Sequence, residues 1–304
     1  MLKDRVVYMD GRFIPWEDAN VHIMSHSFAR GSGIFEVLGV HRTQAGTAVF
    51  RLDEYVSRFF RSAELLEMNL AISADDLHEA VLETVRRNGL EAGVVKIMGF
   101  YPQVAFDIMP PAGNLSVAVF AVDPGVDLGS SMFSFDRGVT TCISSWRKIH
   151  PGTVPPEAKV AANYLNGMMS RLDARKKGFE MAVMLDNEGF IAEGGTESVF
   201  IVKDGKLYTP ALGKILRSIS RKSVPVVAAS EGIETVETQL KPEALYDADE
   251  VFFSCTVMKV CPVSRIDDRV FDQVPGPMCR RLRDLMNRVT AGEDERFRGW
   301  LFQV

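Results

Sequence analysis

Residues 155–210 read PPEAKVAANYLNGMMSRLDARKKGFEMAVMLDNEGFIAEGGTESVFIVKDGKLYTP, and the reading of the fold turns on this stretch. Lys159 leads a segment that reads as helical to Lys177, and Tyr164 follows five residues after the lysine. Strand-like runs come next at EMAVMLD, ESVFIVK and KLYTP, joined by the turns Asp186-Asn187-Glu188-Gly189 and Asp204-Gly205. Glu193 stands 34 residues beyond Lys159, just ahead of the run Glu197-Ser198-Val199-Phe200. Each of these three has an ordinary reading. A lysine in a first helical turn is exposed and inert, a turn glutamate is solvated, and a helix tyrosine covers the core. For Glu193 the placement ahead of a strong strand favours chemistry over its ordinary reading; for the lysine and the tyrosine, taken alone, the ordinary readings stand.

Outward from this stretch, the N-terminal part alternates strands and turns. VVYMDGRFIP carries a central Asp-Gly, a hairpin signal, and IFEVLGVHRTQAGTAVFRL reads as two further strands. Apolar residues at helical spacing (Leu52, Val56, Phe59, Ala63, Leu66) predict a helix to about Leu70. Ser73-Ala74-Asp75-Asp76 caps a second helix that ends near Asn88-Gly89. With the runs GVVKIMGFY and LSVAVFAVD, residues 1–123 form a small α+β domain. A linker is expected at 124–137, in a Gly-, Pro- and Ser-rich region, and a larger domain at 138–304. That domain includes a helix from about Lys214 to Ser230 and a final helix after Pro275-Gly276-Pro277.

Composition excludes several classes of function. The chain has 304 residues, 46% hydrophobic and 25% charged, with a formal charge of −5 and a pI near 5.7. This is the balance of a globular protein with a sizeable core, and it offers nothing to nucleic acid or to an anionic membrane. The basic runs Arg171–Lys177 and Arg280–Arg283 read as solvated helix faces. No apolar stretch reaches the roughly 20 residues of a membrane span, and MLKDRVVYMDGRF lacks the apolar core of a signal peptide. Four cysteines (Cys142, Cys255, Cys261, Cys279) show neither metal-site nor disulfide spacing. A reduced, cytoplasmic protein without a metal is expected.

The segments AKVAANY, IAEGGTESVF, FRLDEYVSRF and SHSFARGSGIFEVLGV, spread over nearly the whole chain, resemble the fold-type-IV pyridoxal-phosphate enzymes. That family holds the branched-chain and D-amino-acid aminotransferases and the aminodeoxychorismate lyases. The resemblance implies a two-domain α+β, α/β fold with the active site between domains, pyridoxal 5′-phosphate as cofactor, and at least a homodimer. It implies that Lys159 forms the Schiff base and later moves protons, that Glu193 holds the pyridine nitrogen protonated, and that Tyr164 donates to the phenolic oxygen. Arg58 matches the arginine expected to clamp the phosphate, with Glu54 one helical turn away as its ordinary partner. Thr196, backbone amides at Ile215 and Leu216, which open the helix after LGKILR, and the turn at Thr256 and Val257 complete the cofactor set.

Departures concentrate on the substrate side. Arg30 stands where the family has tyrosine, Val37 replaces glycine, Gly39 replaces the arginine of branched-chain enzymes, Val94 a tyrosine and Lys96 an arginine. Tyr55 stands for a histidine, and Gly213, Lys214 and Leu216 replace proline, glycine and threonine, which removes one hydroxyl contact to phosphate. GSG at 31–33 is not read as a phosphate loop. The expected activity is amino transfer between an amino acid, with branched-chain substrates favoured, and a 2-oxo acid, with Arg30 and Lys96 as candidate substrate-carboxylate ligands. A D-amino-acid or amine transaminase, an aminodeoxychorismate lyase, and a non-catalytic binding protein that keeps the fold are the alternatives.

Overall fold

The computed structural model describes residues 2–129 and 133–304. The chain divides into two compact units: residues 1–131 with 158–162 and 288–304, and residues 132–157 with 163–287. In this division residues 158–162 and 288–304 group with the first unit. Lys159, expected in the C-terminal domain, is grouped with the N-terminal unit.

The first unit is built on an antiparallel sheet. Its strands are β1 (Val6–Met9), β2 (Arg12–Pro15), β3 (Ile34–Thr43), β4 (Gly46–Phe50), β5 (Gly93–Phe100), β6 (Ser116–Val122) and the C-terminal strand Leu301–Gln303. From one edge the order is the C-terminal strand, β4, β3, β5, β6, β1, β2. Asp10 and Gly11, at φ 47° and 88°, make the tight turn of the β1–β2 hairpin. Helices α1 (His26–Arg30), α2 (Leu52–Leu65), α3 (Ala74–Arg87) and α4 (Pro124–Leu128) complete the unit. The α2 helix buries Leu52, Tyr55, Val56, Phe59 and Ala63. It stops short of Leu70 because Glu67 adopts φ 53°, a left-handed conformation that ends a right-handed helix. The Ser73 hydroxyl accepts from the Asp76 N–H at 3.1 Å and caps α3 as its sequence predicts.

The second unit carries β7 (Val139–Ile143), β8 (Met181–Leu185), β9 (Ile191–Gly194), β10 (Ser198–Lys203), β11 (Lys206–Pro210), β12 (Thr235–Thr238), β13 (Glu250–Ser254), β14 (Cys261–Ile266) and β15 (Arg269–Val270). The order is β12-β11-β10-β13-β14-β7-β8-β9, with β15 on β14, and three of the pairs (β11–β12, β14–β7, β7–β8) are parallel. Its helices are α5 (Tyr164–Lys176), α6 (Ile219–Ala229), α7 (Glu243–Tyr246) and α8 (Pro277–Thr290). Every residue of β8 and β13 is buried; β8 reads as a continuous apolar run, and β13 is apolar at its centre (Val251–Phe253) between Glu250 and Ser254. Val183, Ile191, Val199, Ile201, Val251 and Phe253 form the centre of the core. The buried Glu250 carboxylate accepts the Met278 and Cys279 N–H groups, both at 2.8 Å, and so satisfies the first turn of α8.

Two helix starts differ from the sequence reading. Ser218 caps α6 through its hydroxyl, which accepts from the Arg221 N–H. Ile215 and Leu216 therefore lie in the preceding loop and do not open the helix. Likewise α5 begins only at Tyr164, after a 3-10 turn over Ala161–Asn163, and Lys159 is extended. Among the described residues no helix is long and apolar enough to cross a membrane.

Candidate active site

Within the first unit, Lys159 is held by its backbone. Val160 forms a β-bridge with Ile34, the Lys159 carbonyl accepts from the Phe35 N–H at 3.1 Å, and the Ala161 N–H donates to Gly33 at 2.8 Å. The start of β3 takes the Lys159 carbonyl, which would accept the first bond of a helix beginning here, and the bridge at Val160 holds the chain out of a helical turn. The Ser62 hydroxyl accepts from the Lys159 N–H at 3.0 Å and donates to the Arg58 carbonyl at 2.9 Å. One serine on α2 thus ties the lysine backbone to the turn that carries Arg58.

Arg58 pairs with Glu36 across the sheet–helix packing. Its Nε and Nη2 meet the two oxygens of Glu36 at 2.7 and 2.6 Å, and the Glu36 side chain is fully buried. Glu54 accepts from Arg51 at 2.7 Å. A bidentate pair of this kind sets the guanidinium plane as well as its position. Phe35, the neighbour of Glu36 on β3, lies beneath two amines: the Lys159 Nζ at 5.0 Å and the Lys96 Nζ at 4.9 Å from the ring centroid. Burial pushes the Lys96 ammonium below the ordinary lysine range.

The remodelled positions lie on one sheet face. Val37 pairs with Lys96, and Gly39 with Val94, in the β3–β5 register. A Cβ at Gly39 would come within 2.6 Å of the His41 Nε2, so the imidazole covers the space the missing side chain leaves. Arg30 is exposed; its Nη2 donates to the Phe106 carbonyl at 2.7 Å and its Nε reaches the Asp107 carbonyl at 3.4 Å. It is attached to the loop after β5.

Within the second unit, Tyr164 opens α5, and Gly167 lets that helix approach the turn after β9. A Cβ on Gly167 would overlap the Gly195 carbonyl oxygen. Glu193 lies on β9 opposite Met184 of β8, only 7% exposed. Its carboxylate forms an ion pair with Lys148 through Oε1. Thr196 directs both its N–H and its hydroxyl to the Glu197 carboxylate, which also pairs with Arg171. In the loop before α6, Ile215 is buried, and the Lys214 Nζ bridges Asp186 at 2.9 Å and Glu188 at 2.8 Å. Thr256 and Val257 occupy a turn in which the Val257 and Met258 N–H groups are directed at the Cys255 thiol, which burial pushes up to about 11. Arg283, expected to be solvated, is half-buried; its Nη1 donates to the Met258 and Val260 carbonyls at 2.8 and 3.1 Å.

The first unit therefore collects Lys159, Arg58 and Lys96 around Phe35 and Glu36, and the second carries Tyr164, Glu193, Thr196, Ile215, Leu216, Thr256 and Val257. Sequence reading missed Glu36, Ser62, His41 and Lys148. No local motif links any of them to its partner. In the first unit a half-buried amine on a fixed backbone and a buried guanidinium suit an anionic aldehyde; in the second a buried carboxylate with its cation suits a basic ring nitrogen.

Residues 33–266 match the family described as amino-transferase class IV. A branched-chain-amino-acid aminotransferase of Escherichia coli (strain K12) is 35% identical over 301 residues, covering 98% of this chain and 97% of that protein. One from Pseudomonas aeruginosa is 32% identical over 299 residues, with 98% and 97% covered. The solved T.th. branched-chain amino acid aminotransferase complexed with N-(5′-phosphopyridoxyl)-L-glutamate aligns with a TM-score of 0.93 at 33% identity, covering 100% of this chain and 99% of that one. The chain belongs to the class IV aminotransferase family.

Proposed function

We propose that this aminotransferase, whose cofactor is pyridoxal 5′-phosphate, moves an amino group between a branched-chain amino acid and a 2-oxo acid. The observation that carries the reading is the half-buried Lys159, clamped through its N–H by Ser62 and through its carbonyl by Phe35, with its amine beside an aromatic face. A fixed backbone limits the positions the amine reaches, which is what a covalent attachment point and proton carrier requires. When bound, the cofactor supplies an electron sink for the substrate α-carbon.

The chain's own residues do the rest. Lys159 moves the proton between the α-carbon and the cofactor's C4′. Glu193 holds a proton at the ring nitrogen, and Tyr164 donates to the phenolic oxygen. Arg58, the backbone amides of Ile215, Leu216, Thr256 and Val257, and Thr196 take the phosphate. Lys96 and Arg30 read substrate carboxylate; the half-buried Lys96 is the better supported of the two, since Arg30 already serves two loop carbonyls. Purified protein should be yellow, and borohydride reduction should leave the pyridoxyl mass on the Lys159 peptide. Lys159→Ala should lose colour and turnover while staying folded. A pyridoxyl mass on another lysine ends the reading.

Substrate is decided by a half-reaction screen of L- and D-amino acids that follows cofactor colour. Gly39, His41 and Val94 on the sheet face support the second reading, a D-amino-acid or amine transaminase, in which D-amino acids or simple amines react first. Pyruvate released from aminodeoxychorismate without an amino acceptor would indicate a lyase, and a colourless protein that resists reconstitution a binding role. A homodimer is proposed on the apolar surface of each unit. The first has a groove of about 730 Å³ lined by Val7, Trp16, Phe28, Met98 and Phe120, and α5 in the second exposes Leu165, Met168 and Leu172. Light scattering tests it. Four cysteines present as thiols support a reducing, cytoplasmic location, which cell fractionation checks.

A further inference from the structure

Lys148 lies outside every motif of the sequence, in the segment that continues β7 beyond Ile143. Its backbone is pinned at three places. The Ser144 and Lys148 N–H groups donate to Val183 and Leu185 at 2.8 Å each, and the Asn187 side chain donates to the Lys148 carbonyl at 3.2 Å. The Asn166 amide of α5 accepts from the Ile149 N–H at 3.3 Å and donates to the Arg147 carbonyl at 3.0 Å. Lys148 is thus fixed alongside β8, the strand whose Met184 pairs with Glu193. Its side chain is 12% exposed and ends on the Glu193 Oε1, whose own side chain is 9% exposed.

A lysine stem loses considerable rotamer freedom when buried, and a buried ion pair is weak evidence of added stability. What this arrangement does supply is direction. Lys148 occupies one carboxylate oxygen and leaves Oε2 to accept a second donor. We propose that Lys148 is a positioning residue: it holds the Glu193 carboxylate in the orientation that receives the protonated ring nitrogen of the cofactor, and the two cations share one carboxylate. This rests on the reading of Glu193 as the partner of that nitrogen.

The test is a double-mutant cycle on the full chain with pyridoxal 5′-phosphate as the probe. Cofactor dissociation constants come from titration of the apoprotein, and the visible circular-dichroism band of the bound cofactor reports ring orientation. Lys148→Met should weaken cofactor binding about tenfold and change the sign or at least halve the amplitude of that band. Lys148→Arg should return both to within threefold of the original. In a Glu193→Gln background the same Lys148→Met change should alter affinity less than twofold, because the group it acts through is gone. An equal loss in both backgrounds overturns the proposal, as does a Lys148→Met protein with unchanged affinity and band. A Glu193→Gln protein that keeps the original affinity and spectrum instead defeats the assignment of Glu193 itself. If Lys148→Met does not fold, Lys148→Gln replaces it in the cycle under the same criteria.

Discussion

Arg58 and Glu36 illustrate how a single pair is weighed. Both are buried, and the pair is bidentate at 2.6 and 2.7 Å, so water cannot solvate either charge if the other is removed. Breaking a buried pair from one side costs about 3–5 kcal/mol, whereas replacing both partners by apolar groups is often close to neutral. Glu36→Ala should therefore lower the unfolding free energy by about that amount in urea, and the double change Glu36→Met with Arg58→Leu should recover most of it. Equal losses in the single and double variants would show that the cavity, not the stranded charge, dominates. Lys259 is the opposite case. It sits in a left-handed backbone conformation at φ 56°, donates to the Asn287 side chain at 3.0 Å, and has an ammonium pushed down to about 8 by burial, with Arg283 adding to the shift. The folded pKa lies below the unfolded one, so between about pH 8 and the ordinary lysine range the unfolded chain binds more protons. The unfavourable charge is fully felt below pH 8 and is relieved as pH rises through that window. Lys259→Met should gain on the order of 1 kcal/mol at pH 7, and the gain should vanish by about pH 10 in denaturant titrations at the two pH values. A gain independent of pH would assign it to packing.

At the scale of elements, α5 shows two effects that oppose each other. Alanine is a better helix former than glycine by about 1 kcal/mol, so Gly167 looks like a position to improve. Its Cβ would overlap the Gly195 carbonyl oxygen, a backbone atom that cannot swing aside as a side-chain terminus does. Overpacking of this kind costs about 1–3 kcal/mol, and the clash outweighs the propensity. Gly167→Ala should lower the thermal midpoint by several degrees; an unchanged or raised midpoint would mean that α5 shifts freely against the turn after β9. The same element shows how local pattern competes with tertiary pairing. The apolar and small residues from Val160 onward predict a helix from Lys159, yet bonds to Phe35 and Ser62 and the Val160–Ile34 bridge hold residues 159–160 out of a helix, and a 3-10 turn follows at Ala161–Asn163. A helix returns only once those partners end, at Tyr164.

For the molecule as a whole, a ligand that binds only the folded chain stabilises it by mass action, about 2.7 kcal/mol at a hundred times its dissociation constant. Adding pyridoxal 5′-phosphate at that excess to the apoprotein should raise the denaturation midpoint accordingly, and Lys159→Ala should respond less at the same total concentration. Equal midpoints with and without cofactor would contradict the cofactor assignment. Much of the architecture is local and therefore legible in the chain: the Asp10-Gly11 turn, the Ser73 cap and the strands around Asp186–Gly189 and Asp204-Gly205 follow from backbone conformations that those residues favour over few positions. The identities of Lys159, Arg58, Tyr164 and Glu193 as candidates are legible for the same reason, since each sits in a short pattern. Their partners are not. Ser62 reaches Lys159 across 97 positions, Glu36 reaches Arg58 across 22, and Lys148 meets Glu193 from the far side of β8. Those pairings are decided by which strands lie side by side and which polar groups burial forces to find a partner, and only the tertiary structure makes that choice.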